Sequence, residues 1–346
     1  MAERVLTEAE LNRAVLGRQL LLERRKLQPV DAIERVGGLQ TQYAPSGYIG
    51  LWSRLDGFTR ADLTAALERR TAVQATVMRA TIHTVTAADY PLFVAGIRET
   101  RREWWLRAHR RQIAPEVVAE AAVRTRALLG EGPRRSRELM RELGVNNVIW
   151  NGIGLWLDLV RVPPSGTWEE RRADLYMTAE EWLPQIEATP DQGLDLLLRR
   201  YLAGFGPAAV RDVADWAGVP VQKLATAVER LEPRRFRDER GAQLIDLPRA
   251  PLPDPATPAP VRFLPTWDAT LLVHARRGQI MPERFRPLVF NTKTPQSMPT
   301  FLVHGQVAGT WKHERGRVLP APFEPLTAAV KREVADEAER LAAFMA

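Results

Sequence analysis

Pro233-Arg234-Arg235-Phe236-Arg237-Asp238-Glu239-Arg240-Gly241-Ala242-Gln243-Leu244-Ile245 is the stretch on which the reading of the fold turns. Arginine-rich on its first arm, with Gly241 free to take the positive φ of a tight turn, it reads as a basic β-hairpin. Three helical stretches lead into it: residues 194–205, a second begun by Gly206-Pro207-Ala208-Ala209 and ended by Gly218, and residues 220–231. Helix, helix, helix and hairpin at this spacing is the winged-helix pattern, a variant of the helix-turn-helix.

Working outward, the same order recurs twice upstream. Gly132-Pro133-Arg134-Arg135-Ser136-Arg137 opens a unit with helices over 136–144 and 148–159. Its wing would be Leu159-Val160-Arg161-Val162-Pro163-Pro164-Ser165-Gly166-Thr167-Trp168, returning through Ala173 to Tyr176. Nearest the N-terminus, Thr7-Glu8-Ala9-Glu10 is a capping box before an apolar helical face. A second helix over 29–36 stops at Gly37-Gly38, and Thr59-Arg60-Ala61-Asp62 opens another that runs to Arg70. Residues 72–86 alternate like one strand, which would place Arg79, Thr81 and His83 side by side. Long arginine-rich helices over 87–112 and 115–130 join this unit to the next. Downstream, six prolines between Pro248 and Pro260 mark a linker. Short strands follow over 262–265, 271–274, 300–303, 308–312 and 317–319, with a closing helix over 326–344. The expected fold is therefore mainly α with β wings (α+β): winged helices over 1–112, 113–190 and 191–247, a linker over 248–260, and a β-domain with its helix over 261–346.

Composition narrows the chemistry. At 346 residues, 45% hydrophobic and 26% charged, the chain is an ordinary globular protein with room for two or three cores. It has no cysteine, and its five histidines (His83, His109, His274, His304 and His313) lack metal-ligand spacing, so no metal is expected. Neither a signal peptide nor an 18-residue apolar span is evident, which makes a cytoplasmic protein without a membrane partner the default. Net charge is +7, and 44 of the 49 basic residues are arginine. A GC-rich genome would explain the arginine-to-lysine ratio but not the positive sum, so a polyanion, nucleic acid above all, is the expected partner. There is no Walker A loop, dinucleotide glycine fingerprint, Gly-x-Ser-x-Gly or His-Glu-x-x-His, and no cofactor is expected. Two classes remain: a DNA-processing enzyme, or a non-catalytic winged-helix transcriptional regulator. Three units in one chain suit a surface that clamps a duplex better than a dimeric operator reader.

Gly37-Gly38-Leu39-Gln40-Thr41-Gln42-Tyr43-Ala44-Pro45 offers a place for the chemistry. Two glutamines at i and i+2 share a side only on an extended or turned backbone, and there two amides could hold one water without carrying charge. By spacing alone, an ordinary polar loop is the better reading. With Tyr48-Ile49-Gly50-Leu51-Trp52-Ser53-Arg54, the stretch resembles the AlkZ/YcaQ family of bacterial DNA glycosylases. Further segments continue the resemblance in family order: 78–83, 161–168, Phe263-Leu264-Pro265-Thr266-Trp267-Asp268 and Val307-Ala308-Gly309-Thr310-Trp311.

The resemblance implies tandem winged helices with a C-terminal β-domain, and a catalytic Gln-Φ-Gln motif (Φ aliphatic) carried here by Gln40 and Gln42. Thr41 departs from the aliphatic middle position. Gln42, rather than an aspartate, places the chain on the AlkZ side, which includes self-resistance enzymes against DNA-alkylating natural products. The implied activity is monofunctional hydrolysis of the N-glycosidic bond of N7-alkylated purines, bulky or cross-linked, in double-stranded DNA. The implied protein is a monomer acting on the bacterial nucleoid. Lys26 is the only lysine in the first 222 residues and reads as a solvated basic end, which disfavours an amine-dependent lyase step. Candidate DNA contacts are Arg54, Arg79, His83, Arg134, Arg135, Arg137, Arg234, Arg235 and Arg237; Trp52 reads as core.

Overall fold

The computed structural model describes residues 3–272, 277–290 and 297–346. The chain enters through a short strand, β1 (Arg4–Leu6), and α1 (Glu8–Arg18) begins at the expected capping box: Thr7 accepts from the Glu10 amide, and Glu10 caps Thr7 in return. Pro29 occupies the first turn of α2 (Pro29–Arg35), where its missing N–H costs nothing. Then come β2 (Leu39–Gln40), α3 (Pro45–Arg54), α4 (Arg60–Glu68), β3 (Ala72–Thr76) and β4 (Ile82–Thr86). The single strand expected over 72–86 is instead a hairpin, folded at a 3₁₀ turn of Met78–Ala80 with φ of 54° at Arg79 and 58° at Ala80. No glycine, proline or asparagine marks that turn. The Val77 amide donates to the Thr81 carbonyl and the Thr81 hydroxyl to the Met78 carbonyl, which hold the two left-handed residues in place.

Next are α5 (Asp89–His109), α6 (Pro115–Leu129), β5 (Arg134–Arg135), α7 (Ser136–Leu143), α8 (Asn147–Ile153), β6 (Leu159–Arg161) and β7 (Leu175–Thr178). Strands of the first two segments combine into one six-stranded sheet of order β2-β4-β3-β6-β7-β5, joined where Gln74 and Ala75 pair with Arg161 and Val160.

A short α9 (Ala179–Trp182) leads to α10 (Pro190–Phe205), α11 (Val210–Ala217) and α12 (Ala225–Leu231), then the hairpin β8 (Arg234–Asp238) and β9 (Gln243–Asp246). That hairpin is the one the sequence announced, but it has a third strand: β1 pairs with β8 in parallel, Val5 opposite Arg237. α10 crosses α5 at Gly96 and Gly193, where a Cβ on Gly193 would lie 2.3 Å from the Gly96 nitrogen. Only glycine permits that approach. Trp216, Phe93, Tyr201 and Phe205 fill the core between α5, α10 and α11.

Beyond the proline-rich segment, β10 (Arg262–Leu264), a one-turn α13 (Arg286–Val289), β11 (Thr300–Val303), β12 (Gln306–Glu314), β13 (Arg317–Pro322) and α14 (Ala328–Met345) complete the chain. The four strands form an antiparallel sheet in sequence order. Of the strand expected over 271–274, Leu271 and Leu272 lie in a turn, and Val273 and His274 fall outside the described residues. This sheet shares a core with the N-terminal helices: Phe263, Phe301 and Trp311 belong to one cluster with Tyr48 and Ile49. Trp52 stacks on Phe344 at 5.9 Å, inside that packing as its sequence suggested. No helix among the described residues is long and apolar enough to cross a membrane.

Candidate active site

The site begins where α2 stops. Gly37 and Gly38, at φ of 79° and 88°, turn the chain onto the free edge of β4; at Gly38 a Cβ would also press to 3.1 Å from Val85 Cγ1. β2 then pairs antiparallel with β4, Gln40 opposite His83, and the Thr41 amide donates to the Ile82 carbonyl. The strand ends at Gln40, and the chain bends at Gln42 before α3 begins. Thr41 is buried, its hydroxyl 3.1 Å from that of Thr84. Its methyl would meet a Cβ on Gly47 of α3 at 2.9 Å. A β-branched residue of this size fills the space, and its extra hydroxyl is satisfied.

Each glutamine is clamped by its carbonyl oxygen. Arg79 Nη2 donates to Gln40 Oε1 at 2.8 Å, and the Ile82 backbone amide donates to Gln42 Oε1 at 3.1 Å. A guanidinium and a peptide N–H are donors only, so chemistry fixes which end of each amide faces them. Both Nε2 groups are left without a partner among the described residues. Gln40 is 8% exposed, while Gln42 stands open to solvent beside the exposed Tyr43. Tyr43, which sequence reasoning passed over, accepts from Arg171 Nη1 at 3.1 Å and is an exposed aromatic next to Gln42 in the chain. An unburied aromatic inside a polar stretch was the available signal.

Arg79 spends both terminal nitrogens on partners within the protein. Its second terminal nitrogen donates to the Trp216 carbonyl at 2.7 Å, and it packs against Gly218 at the end of α11. Burial lowers its pKa to about 10, which leaves it cationic at neutral pH. His83 is 2% exposed; its Nδ1 lies 3.1 Å from the Thr81 carbonyl and therefore carries the proton. Burial, together with repulsion from Arg79 and Arg101, pushes its pKa down to about 3, so it is a neutral imidazole out of reach of a phosphate.

Arg54 also leaves the list of contacts. It is 1% exposed and forks onto Asp268 with two bonds of 3.0 Å, its terminal nitrogens also reaching the Gly50 carbonyl, Gln19 and Thr270 while Nε is buried without a partner. Burial alone would raise the pKa of the Asp268 carboxyl, but the Arg54 guanidinium holds it below the usual carboxylate value. The pair ties α3 to the turn after β10 and lines a very small cavity together with Gln40, Ser46 and Trp267. Asp268 was visible only as an acid at the end of an apolar segment.

The remaining arginines separate by their partners. Arg134 pairs with Glu131 and, at 2.8 Å, with Glu142; Arg135 pairs with Glu170 at 2.7 Å and Asp174 at 2.6 Å. Arg234 donates to the Ala250 carbonyl and lies over the Phe236 ring, and Arg237 pairs with Glu3 at 3.1 Å. Arg137 and Arg235 are exposed and have no ion-pair partner among the described residues, which leaves them free for a phosphate. Lys26 is 88% exposed and lies 3.9 Å from Asp56. No group of three or more His, Asp or Glu side chains among the described residues could hold a metal.

Comparisons with known proteins bear on this arrangement. No curated protein matches the chain significantly. Among solved structures it is similar to the Streptomyces sahachiroi DNA glycosylase AlkZ, with a TM-score of 0.81 and 16% identity over 99% of this chain and 97% of that one. At that identity the likeness establishes the mixed α and β fold and no more. The family model described as "DNA glycosylase AlkZ-like" matches residues 33–344, from the end of α2 to the end of α14. The chain belongs to the AlkZ-like DNA glycosylase family.

Proposed function

We propose that this chain is a monofunctional DNA glycosylase that hydrolyses the N-glycosidic bond of N7-alkylated purines in duplex DNA, with Gln40 and Gln42 at the reacting centre. The observation that carries the proposal is the pair of clamped amides. Their carbonyl oxygens are held by Arg79 and the Ile82 amide, and their Nε2 groups are left to a ligand. A water between them accepts from one Nε2 and donates to the second lone pair of the other Oε1. As C1′–N9 breaks, the bonding pair moves onto the purine and neutralises the charge that N7-alkylation placed there. The base therefore leaves without a strong acid. Water oxygen bonds to C1′, and its proton passes to solvent. Neutral amides supply orientation and dipoles rather than a strong base, so an unalkylated purine, a poor leaving group, is left intact.

The order helix, strand, helix, helix, hairpin occurs three times: α2 to β4, α6 to β7, and α10 to β9, where Ala208 bridges Ile245 as the missing strand. We read these as three winged-helix units carrying a monomer on its duplex, and the region from β10 to α14 as the C-terminal β-domain. A substrate with bulky or cross-linked adducts, and a role in self-resistance to the compound that makes them, extend the same reading. The test is incubation of the protein with duplexes carrying N7-methylguanine, a bulky N7-alkylguanine or unmodified guanine. Abasic sites are expected on the two alkylated duplexes and not on the third, with strand breaks only after alkali. Retention of every lesion, or a break without alkali, would overturn the proposal.

A further inference from the structure

A cavity of about 350 Å³ lies between α5, α8 and the β3–β4 hairpin, apart from the glutamines. Three of its walls are aromatic. Trp150 meets Tyr176 edge-on at 5.2 Å, and Trp105 is buried against His109. Trp104 stands at the rim, 59% exposed, a large apolar surface that no neighbour covers.

The same cavity is lined by two arginines, Arg161 buried and Arg101 half-buried. Arg101 Nη1 donates to the Thr76 carbonyl at 2.8 Å and Arg161 Nη2 to the Thr76 hydroxyl at 3.0 Å, so both guanidinium groups converge on one residue. Arg161 is 8% exposed and lies over the Tyr176 ring. Neither arginine forms an ion pair among the described residues. Arg101 Nε and Arg161 Nη1 are both buried without a hydrogen-bond partner. The one carboxylate in the lining, Asp158, is paired with Arg98 at 2.5 Å. Burial depresses the Arg101 pKa to about 10; Tyr90 and Asp158 offset part of that shift, and the Arg161 charge adds to it. Two neighbouring like charges without an ion pair of their own are costly, and an anion in the cavity would offset both.

We propose that this cavity binds a nucleoside monophosphate unit, its base against the tryptophans and its phosphate on Arg101 and Arg161. A phosphate monoester carries close to two charges and matches two guanidinium groups, where a carboxylate carries one. Indole walls accept any base by stacking. The volume is at the lower end of small-ligand sites and admits one nucleotide, not a duplex. A free nucleotide and the 5′-phosphorylated end of a strand present the same chemistry.

Calorimetric titration of the intact protein tests the proposal without any lesion, so it stands or falls apart from the excision activity. The probes are 2′-deoxyguanosine 5′-monophosphate, deoxyguanosine, inorganic phosphate, and a short single strand with either a 5′-phosphate or a 5′-hydroxyl. One saturable site is expected for the monophosphate, for the 5′-phosphorylated strand, or for both; which of them binds identifies the source. Deoxyguanosine, inorganic phosphate and the 5′-hydroxyl strand should bind at least about tenfold more weakly. Trp104→Ala, a rim change that leaves the core intact, and Arg101→Gln should each weaken binding by about tenfold or more. The proposal is overturned if neither monophosphate form saturates up to millimolar concentration. It is equally overturned if Trp104→Ala binds as the parent does, or if inorganic phosphate or deoxyguanosine binds as tightly as the nucleotide.

Discussion

At the scale of single residues, the two glutamines now proposed for the reacting centre could be picked out, and the contacts that hold them could not. Residues i and i+2 can act together only on an extended or turned backbone, and Gly37-Gly38 signals an irregular one; the rest of the assignment came from the resemblance. Arg79 could not be given its role, because the turn that swings it against Gln40 is made by an arginine and an alanine in left-handed conformation, without any of the usual turn residues. His83 resembled a phosphate ligand and is a buried neutral imidazole. These assignments carry a prediction for pH. Gln40 and Gln42 do not titrate, Arg79 stays charged up to about pH 10, and His83 stays neutral down to about pH 3. Excision of an N7-alkylguanine should therefore vary by less than about threefold from roughly pH 5 to 9. A bell-shaped profile centred near neutrality would place an ionising base at the site and contradict the account. Stability behaves differently: the folded-state pKa of His83 lies below the ordinary value of 6.5, so the unfolded chain takes up that proton first and stability falls as pH drops from there toward 3.

At the scale of elements, helices with capping boxes and the hairpin at Gly241 were readable because their signals are local. Strand β1 was not: three residues gain meaning only from pairing with Phe236 and its neighbours, more than 200 positions away. Ion pairs fail to show for the same reason. Arg135 is taken up by Glu170 and Asp174, and Arg54 by Asp268, partners that no spacing rule connects. The Arg54 correction has its own consequence. Arg54→Met should destabilise the fold by about 3–5 kcal/mol in urea unfolding, since it leaves the Asp268 carboxylate buried and unpaired. An unchanged unfolding midpoint accompanied by weaker DNA binding would restore Arg54 to the phosphate contacts.

At the scale of the molecule, the net charge of +7 pointed to a polyanion, yet it could not say which arginines face one. Much of the arginine content is structural: Arg18 is buried on Asp246, and Arg200 bridges Asp89 and Glu34. Arg137 and Arg235, exposed and unpaired among the described residues, are the proposed phosphate contacts. Much of the element order was legible, but its assembly was not. The six-stranded sheet runs across the boundary expected near residue 112, because β3 pairs with β6 through backbone bonds that carry no sequence signature.

The joint action of Gln40 and Gln42 on one water is the central claim, and single-turnover excision from an N7-methylguanine duplex tests it most directly. Gln40→Ala and Gln42→Ala should each slow excision by about 10- to 1000-fold while duplex affinity stays near that of the parent. The double variant should be little worse than the slower single, since both side chains serve one step. Excision at the parent rate by both alanine variants would contradict the account and return the stretch to an ordinary polar loop.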